Sequence, residues 1–284
     1  MKKLLPKEFP YFLSEIPDTP ELLYLRGTLP PADTKLLAVV GSRKYTEYGR
    51  SVCERLITEL APYKVAIVSG LALGIDSIAH RAALRAGLLT IAVPGSGLDD
   101  SVLYPSIHRD LAGKILEHGG ALLSEFDPKT EAAPYMFPKR NRIIAGISEA
   151  TLIIEAAPRS GTLITARLAA DYNRNVLAVP GSIWSETTAG VHALIKDGAT
   201  PVTGVEDILE ALQLTKHEQK TESIRLTQME KVVYDLLSEP LEREVLHERT
   251  SLEPHELSAL LSAMEIKGII EERLGKITRA GAKV

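Results

Sequence analysis

The chain has 284 residues, 45% of them apolar and 25% charged, with a net charge of −4. Such a composition suits one α/β domain with a sizeable core plus a smaller second domain, and it excludes a largely disordered chain. The negative balance excludes polyanion binding by general basicity, so a nucleic-acid reading requires cations concentrated in one place. The single cysteine, Cys53, offers neither an internal disulfide nor a thiolate metal site, and it reads as a buried helix residue in a reducing cytosol. Pro6, Lys7 and Glu8 break up the N-terminal apolar residues before the core of a signal peptide develops. No run approaches the roughly 18 apolar residues of a membrane span, and a cytoplasmic protein is expected.

Residues 1–30, rich in proline and aromatics, are expected to pack as an extension on the edge of the core. Over residues 31–214, short β-branched apolar runs alternate with segments of helical period. The runs are Leu36–Val40, Val65–Val68, Leu89–Val93, Ala121–Leu123, Thr151–Ile154 and Val176–Val179, and a closing helix is expected over Val205–Leu212. This alternation predicts an α/β fold, a Rossmann-like, doubly wound and mostly parallel sheet covered by helices on both faces. Residues 215–224 read as a polar linker. Residues 225–284 then show helical patterns over Met229–Leu237, Leu241–Arg249 and Glu253–Gly268, with two short strands around a turn within Ile269–Ile277. Three helices and a small wing predict a winged-helix domain. From Glu222 onward there are nine Lys and Arg against twelve Asp and Glu, which favours protein contact or tethering over strong duplex binding.

The turns that follow the strands carry the functional signal. They read Gly41-Ser42-Arg43, Ser69-Gly70, Pro94-Gly95-Ser96-Gly97, Arg159-Ser160-Gly161-Thr162 and Pro180-Gly181-Ser182. In an open parallel sheet these turns share one edge, where ligands bind. Small residues let the backbone approach a phosphate, and helix N-termini stand behind them. A row of such turns, with Arg43 and Arg159 among them, points to several phosphates in sequence and hence to an oligonucleotide track. The long segment before the fifth strand reads as a loop containing Phe137-Pro138-Lys139-Arg140-Asn141-Arg142, in which cations adjoin a ring on which a base can stack. The bland alternative is a solvated helix start with Phe137 in the core. Asp76, at a helix start, either caps that helix or accepts from a base edge, and His80 reads as an ordinary helical histidine. No P-loop pattern, no strict G-x-G-x-x-G, no metal-spaced cluster and no placed general base is present, so neither cofactor, metal nor catalytic residue is expected.

These motifs, in this order, resemble the DprA/Smf family of DNA-processing proteins. The resemblance also takes in Phe9-Pro10-Tyr11-Phe12-Leu13, Leu23-Tyr24-Leu25-Arg26-Gly27, Tyr104-Pro105, Leu123-Ser124-Glu125 and Ile143-Ile144-Ala145-Gly146. It implies an extended Rossmann fold that binds single-stranded DNA, loads the RecA recombinase onto it during transformation and recombination, and helps displace single-strand-binding protein. By position, Gly41, Ser42, Arg43 and Gly70 would hold phosphates, Phe137 would stack on a base and Arg140 would line the pocket. Relatives pair through the segment matching Gly190–Ala199, which makes His192 and Ile195 candidate homodimer contacts. Some relatives have lysine where this chain has Ser106 and Pro134, positions for which Lys139 stands to compensate. Two other classes remain open. One is a nucleotide hydrolase similar to nucleoside-monophosphate phosphoribohydrolases, although no acid follows Ser160-Gly161-Thr162 where their catalytic glutamate lies. The other is a regulatory protein whose winged helix binds duplex DNA or a partner.

Overall fold

The computed structural model describes residues 1–215, 226–237, 241–250, 252–273 and 275–279. The chain divides into two units, Met1–His217 and Glu218–Val284. In the first, β1 (Lys2–Leu4), α1 (Tyr11–Ser14) and β2 (Leu23–Gly27) precede an alternating body. That body runs β3 (Lys35–Val40), α2 (Glu47–Glu59), β4 (Val65–Ser69), α3 (Ile75–Arg85), β5 (Thr90–Ala92), α4 (Arg109–Glu117), β6 (Ala121–Ser124) and α5 (Met136–Ile147). It continues through β7 (Ala150–Ile153), α6 (Gly161–Asp171), β8 (Asn175–Ala178), α7 (Glu186–Lys196), β9 (Thr200–Pro201) and α8 (Val205–Ala211).

The strand order is β1-β2-β6-β5-β4-β3-β7-β8-β9. All pairings from β6 across to β9 are parallel, while β2 runs antiparallel to β6 and β1 to β2. The doubly wound, mostly parallel sheet read from the sequence is therefore present, and each of the six apolar runs forms a strand. The continuous hydrophobicity of those runs follows from burial on both faces. Along β3, Leu36, Ala38 and Val40 face one core layer, while Leu37 and Val39 face the other. The first layer includes Ile143 and Ile144 of α5, Ala166 of α6 and Val191 of α7. The second includes Cys53, Leu56 and Ile57 of α2, Ala79 and Ala82 of α3, and Ile208 of α8. Residues 1–30 extend the sheet itself: β2 registers Leu25 against Leu123 and β1 registers Lys3 against Tyr24.

Winding reverses between β3 and β7. From β3 the chain steps outward through β4, β5 and β6, then returns to the other side of β3 for β7, β8 and β9. Turns leaving β3 and β7 diverge there and open a crevice at the carboxyl edge.

In the second unit, α9 (Gln228–Leu236), β10 (Leu241–Glu242), α10 (Arg243–Thr250), α11 (Pro254–Ile266), β11 (Ile270–Arg273) and β12 (Lys276–Arg279) follow one another. Its antiparallel sheet has the order β10-β12-β11. Val233, Leu246, Leu257, Leu261, Met264, Ile269 and Ile277 form its core. The Thr227 side chain accepts from the Glu230 amide and the Glu230 carboxylate from the Thr227 amide, a capping box that starts α9. Leu241 and Glu242, expected to open the second helix, form a strand instead. Most of the expected linker over 215–224 lies outside the described residues. Among the described residues no helix is long and apolar enough to cross a membrane.

Candidate nucleic-acid interface

At the reversal point lies an open cleft of about 550 Å³. Its lining comes from the β3–α2 turn (Gly41, Ser42, Arg43, Lys44), from Ala72 and Asp76 at the start of α3, and from Phe137, Arg140 and Asn141 at the start of α5. Ser160, Gly161 and Thr162 at the start of α6 and Glu186 and Thr187 at the start of α7 complete it. Several helix N-termini thus meet at one place, an arrangement that favours anions.

Phe137 stands at the mouth, half-buried. The Arg43 guanidinium lies over its ring at 5.6 Å from the centroid, and Tyr104 packs beside it at 5.7 Å with the planes tilted by 53°. A side chain at Gly95 would enter the space that the Phe137 ring occupies. Arg43 and Lys44 are exposed, and neither forms a salt bridge among the described residues.

Beneath the cleft sits a polar frame. Arg140 is 5% exposed; its Nη1 donates to the Gly70 and Val93 carbonyls and its Nε to Asn141 Oδ1 at 3.1 Å. Asp76 Oδ2 accepts from the Gly70 amide at 3.1 Å and the Ala72 amide at 3.4 Å. Burial raises the Asp76 pKa, an effect that Arg140 and the two amides oppose. Burial likewise pushes Arg140 down to about 10, with Asp76 opposing and Arg43 adding to the shift. The two side chains lock the β4–α3 turn against α5, leaving Arg43 and Lys44 as the accessible cations.

Turn glycines divide by what surrounds them. A Cβ at Gly41 would meet the Ile75 side chain, one at Gly70 would meet Arg140 and Asp76, and one at Gly181 would meet Thr188. Gly74, at φ +84°, lets its loop press on the backbone of Ser42 and Arg43, and the Ile75 amide donates to the Ser42 carbonyl at 3.2 Å. Gly161 alone among these has open space, so in the cleft it is the glycine past which a ligand can approach the backbone. Behind it, Ser160 caps α6 by accepting from the Thr162 amide at 3.1 Å.

A model of the family described as DNA recombination-mediator protein A matches residues 3–213. The chain belongs to the DNA recombination-mediator protein A family. Among curated members it is similar to protein Smf of Escherichia coli, with 46% identity over 74% of this chain and 55% of that protein. To the DNA processing protein DprA of Streptococcus pneumoniae it is 44% identical over 71% of this chain and 70% of that one. The match thus spans just over half the length of the E. coli relative. Among solved structures, DNA processing protein A from S. pneumoniae superposes with a TM-score of 0.68 at 39% identity, covering 76% of this chain and 75% of that one. The Helicobacter pylori protein, solved to study its single-stranded DNA binding mode, gives 0.65 at 27% identity, covering 75% and 96%.

In this member of the recombination-mediator family, the residues singled out in the sequence do not all reach the cleft. The basic run is helical rather than a loop. Pro138 sits at the third position of α5, where its missing N–H costs nothing because the first amides of a helix have no intrahelical acceptor. Helical rotation of about 100° per residue then separates the cations. Arg140 points under the cleft, whereas Arg142 donates to Glu125 Oε2 at 2.5 Å and to the Asp18 carbonyl, binding α5 to its neighbours. Lys139 lies at 3.2 Å from Glu125 and over the Phe126 ring, about half exposed. Arg142 is therefore an internal fastener and not a contact for phosphate. Ser69 is buried, its hydroxyl donating to the Val39 carbonyl at 2.6 Å, so it too stands outside the cleft. Asp76 lies inside α3, one residue past its first, and closes the preceding turn instead of capping the helix. His80 is buried with Nδ1 2.7 Å from the Thr90 hydroxyl, and burial pushes its pKa down to about 3. Arg159 adopts φ +65° on the exposed turn before α6. Sequence reasoning missed Lys44, which adjoins the Gly-Ser-Arg motif, and Glu186 and Thr187, for which the sequence carries no signal. It also missed Glu155, a buried carboxylate that accepts from the Thr46 amide and hydroxyl and from Thr187 Oγ1, joining α2 to α7 beside the cleft. Among the described residues no cluster has the make-up of a metal site.

Proposed function

We propose that this chain binds single-stranded DNA along the carboxyl edge of its sheet without breaking or forming a covalent bond in it. Arg43 lying over a half-exposed Phe137 carries the reading, because it sets a cation for a phosphate beside a ring face for a base. Lys44 and the N-terminus of α6 extend the same anionic preference. The single-stranded DNA binding of the H. pylori relative supports it. In the finer form of this reading, the protein works in the cytoplasm, protects incoming or processed strands and loads RecA onto them, displacing single-strand-binding protein. It acts as a homodimer through the Gly190–Ala199 segment. His192, its Nε2 3.2 Å from the Gly181 carbonyl, and the half-buried Ile195 are the proposed contacts. A dimer would present two clefts and raise avidity. The second unit is read as an acidic winged-helix module that contacts protein rather than duplex DNA.

Fluorescence anisotropy of labelled single-stranded and duplex oligonucleotides, titrated at two salt concentrations, tests the proposal. Salt-sensitive preference for single strands is expected, with Arg43→Ala weakening it and flattening the log–log salt slope by about one unit. Equal affinity for duplex and single strands overturns the reading.

A further inference from the structure

Exposed rings at the carboxyl edge do not end with Phe137. The turn between β8 and α7 carries Ile183 and Trp184, 78% and 90% exposed, and Trp184 is the only tryptophan of the chain. The backbone beneath them is firmly held. Trp184 donates its amide to Ser182 Oγ at 3.3 Å, Ser185 its amide to the Ser182 carbonyl at 3.1 Å, and the Thr188 hydroxyl lies against the carbonyls of Ser182 and Ser185. On the other side the Tyr48 hydroxyl donates to the Pro180 carbonyl at 2.7 Å, tying the turn to α2. Among the described residues nothing covers the indole, which this braced turn displays to solvent.

Its surroundings say what it meets. Two and three residues further on, Glu186 and Thr187 line the cleft together with Arg43 and Lys44, so the turn that carries the indole adjoins the α7 end of the cleft, whose α5 side is lined by Phe137. Of its chain neighbours Ile183 is apolar while Ser182, Ser185 and Glu186 are polar or charged, and the lining that Glu186 and Thr187 share carries Arg43 and Lys44, whereas the core of a protein contact is depleted of charge. Resting on the reading that the cleft takes single-stranded DNA, we propose that Trp184 is a second base-stacking platform on the same strand. Phosphates between the two stacked bases would then lie against Arg43 and Lys44. The strand length needed for full affinity is accordingly greater than the pocket at Phe137 alone demands.

The lone tryptophan makes its own probe. The full chain is titrated with oligothymidylates of increasing length while indole emission and the anisotropy of a labelled strand are followed together, and Trp184→Ala and Trp184→Phe are compared with the wild type. Quenching that shares the anisotropy midpoint and begins above a threshold length is expected. Trp184→Ala should lose on the order of tenfold in affinity at an unchanged salt slope and an unchanged melting temperature, with most of the loss restored by phenylalanine. Strand binding with unaltered emission and an undiminished affinity of Trp184→Ala overturns the proposal while leaving the Phe137 cleft intact. A change of sedimentation behaviour in Trp184→Ala also overturns it, by assigning the indole to a contact between copies. Absence of any single-strand binding by the wild type overturns this inference and the parent reading together.

Discussion

Arg140 separates a frame residue from a ligand contact, and Arg140→Met is the perturbation that shows which it is. Methionine keeps much of the length and apolar volume while removing the charge and the donors. The Gly70 and Val93 carbonyls then lose their partner, and buried Asp76 keeps its two amides but loses its counter-charge. Breaking a buried charged pair from one side costs roughly 3 to 5 kcal/mol. For a domain of this size that lowers the melting temperature by about 6 to 20 °C. The pH dependence has a definite sign. Burial already raises the folded-state pKa of Asp76, and removal of Arg140 raises it further. A carboxyl raised in this way contributes stability below its unfolded pKa and loses it as pH climbs through the folded value. The deficit of Arg140→Met should therefore be fullest near neutrality, shrink toward acid pH, and be partly repaired by adding Asp76→Asn. Thermal unfolding by circular dichroism over a pH series, paired with single-strand titrations at several salt concentrations, measures both sides. Native stability together with a salt slope reduced by about one unit would refute the frame assignment and make Arg140 a phosphate contact.

Three further outcomes are expected. Phe137→Ala should weaken single-strand binding by roughly 1 to 3 kcal/mol in anisotropy titrations while leaving the salt slope nearly unchanged, and a slope change would show that the ring acts chiefly by holding Arg43. Gly161→Ala, with open space around its new methyl, should hold or raise the melting temperature and reduce strand affinity, whereas Gly41→Ala should cost about 1 to 3 kcal/mol of stability by pressing on Ile75. His80 is neutral when folded because burial depresses its pKa to about 3 from 6.5. Such a depressed group adds stability above the unfolded pKa that is lost as pH falls toward the folded value, so acid unfolding over that window should be shallower in His80→Gln than in the wild type.

The sheet was legible because burial on both faces turns each central strand into an unbroken apolar run, as in Val65–Val68. Edge strands give no such signal. β2 carries the Leu23–Gly27 motif, but its role as an antiparallel extension depends on β6, about a hundred residues away in sequence, and only tertiary pairing reveals it. The cleft was legible as a set of turns on one edge, but the partners within it were not. The basic run around Pro138 read as a loop, with a helix start as the alternative, and its three cations formed one patch only in the loop reading, because their separation depends on the helical turn. Turn glycines at 41, 70, 95 and 181 looked like room for a ligand and prove to be filled by Ile75, Arg140 with Asp76, Phe137 and Thr188.

For a chain of net charge −4, the proposed preference for a polyanion rests on which cations are already satisfied. Arg142 and Lys139 share Glu125, Arg174 faces Glu15, Lys35 faces Glu149, and Arg50 and Arg85 share Glu54. Many cations are thus already satisfied within the scaffold, whereas Arg43 and Lys44 at the cleft have no carboxylate partner among the described residues. Glu186 is the exposed acid of the lining, and Asp76, buried beside Arg140, is drawn toward the protonated form by desolvation. The field that a strand meets is set within a Debye length of about 8 Å at physiological salt, so the local pair of cations outweighs the distant surplus of acids. Two consequences separate this view from binding by general charge: removing an acid far from the cleft should leave affinity almost unchanged, and Glu186→Gln should strengthen single-strand binding with a steeper salt slope.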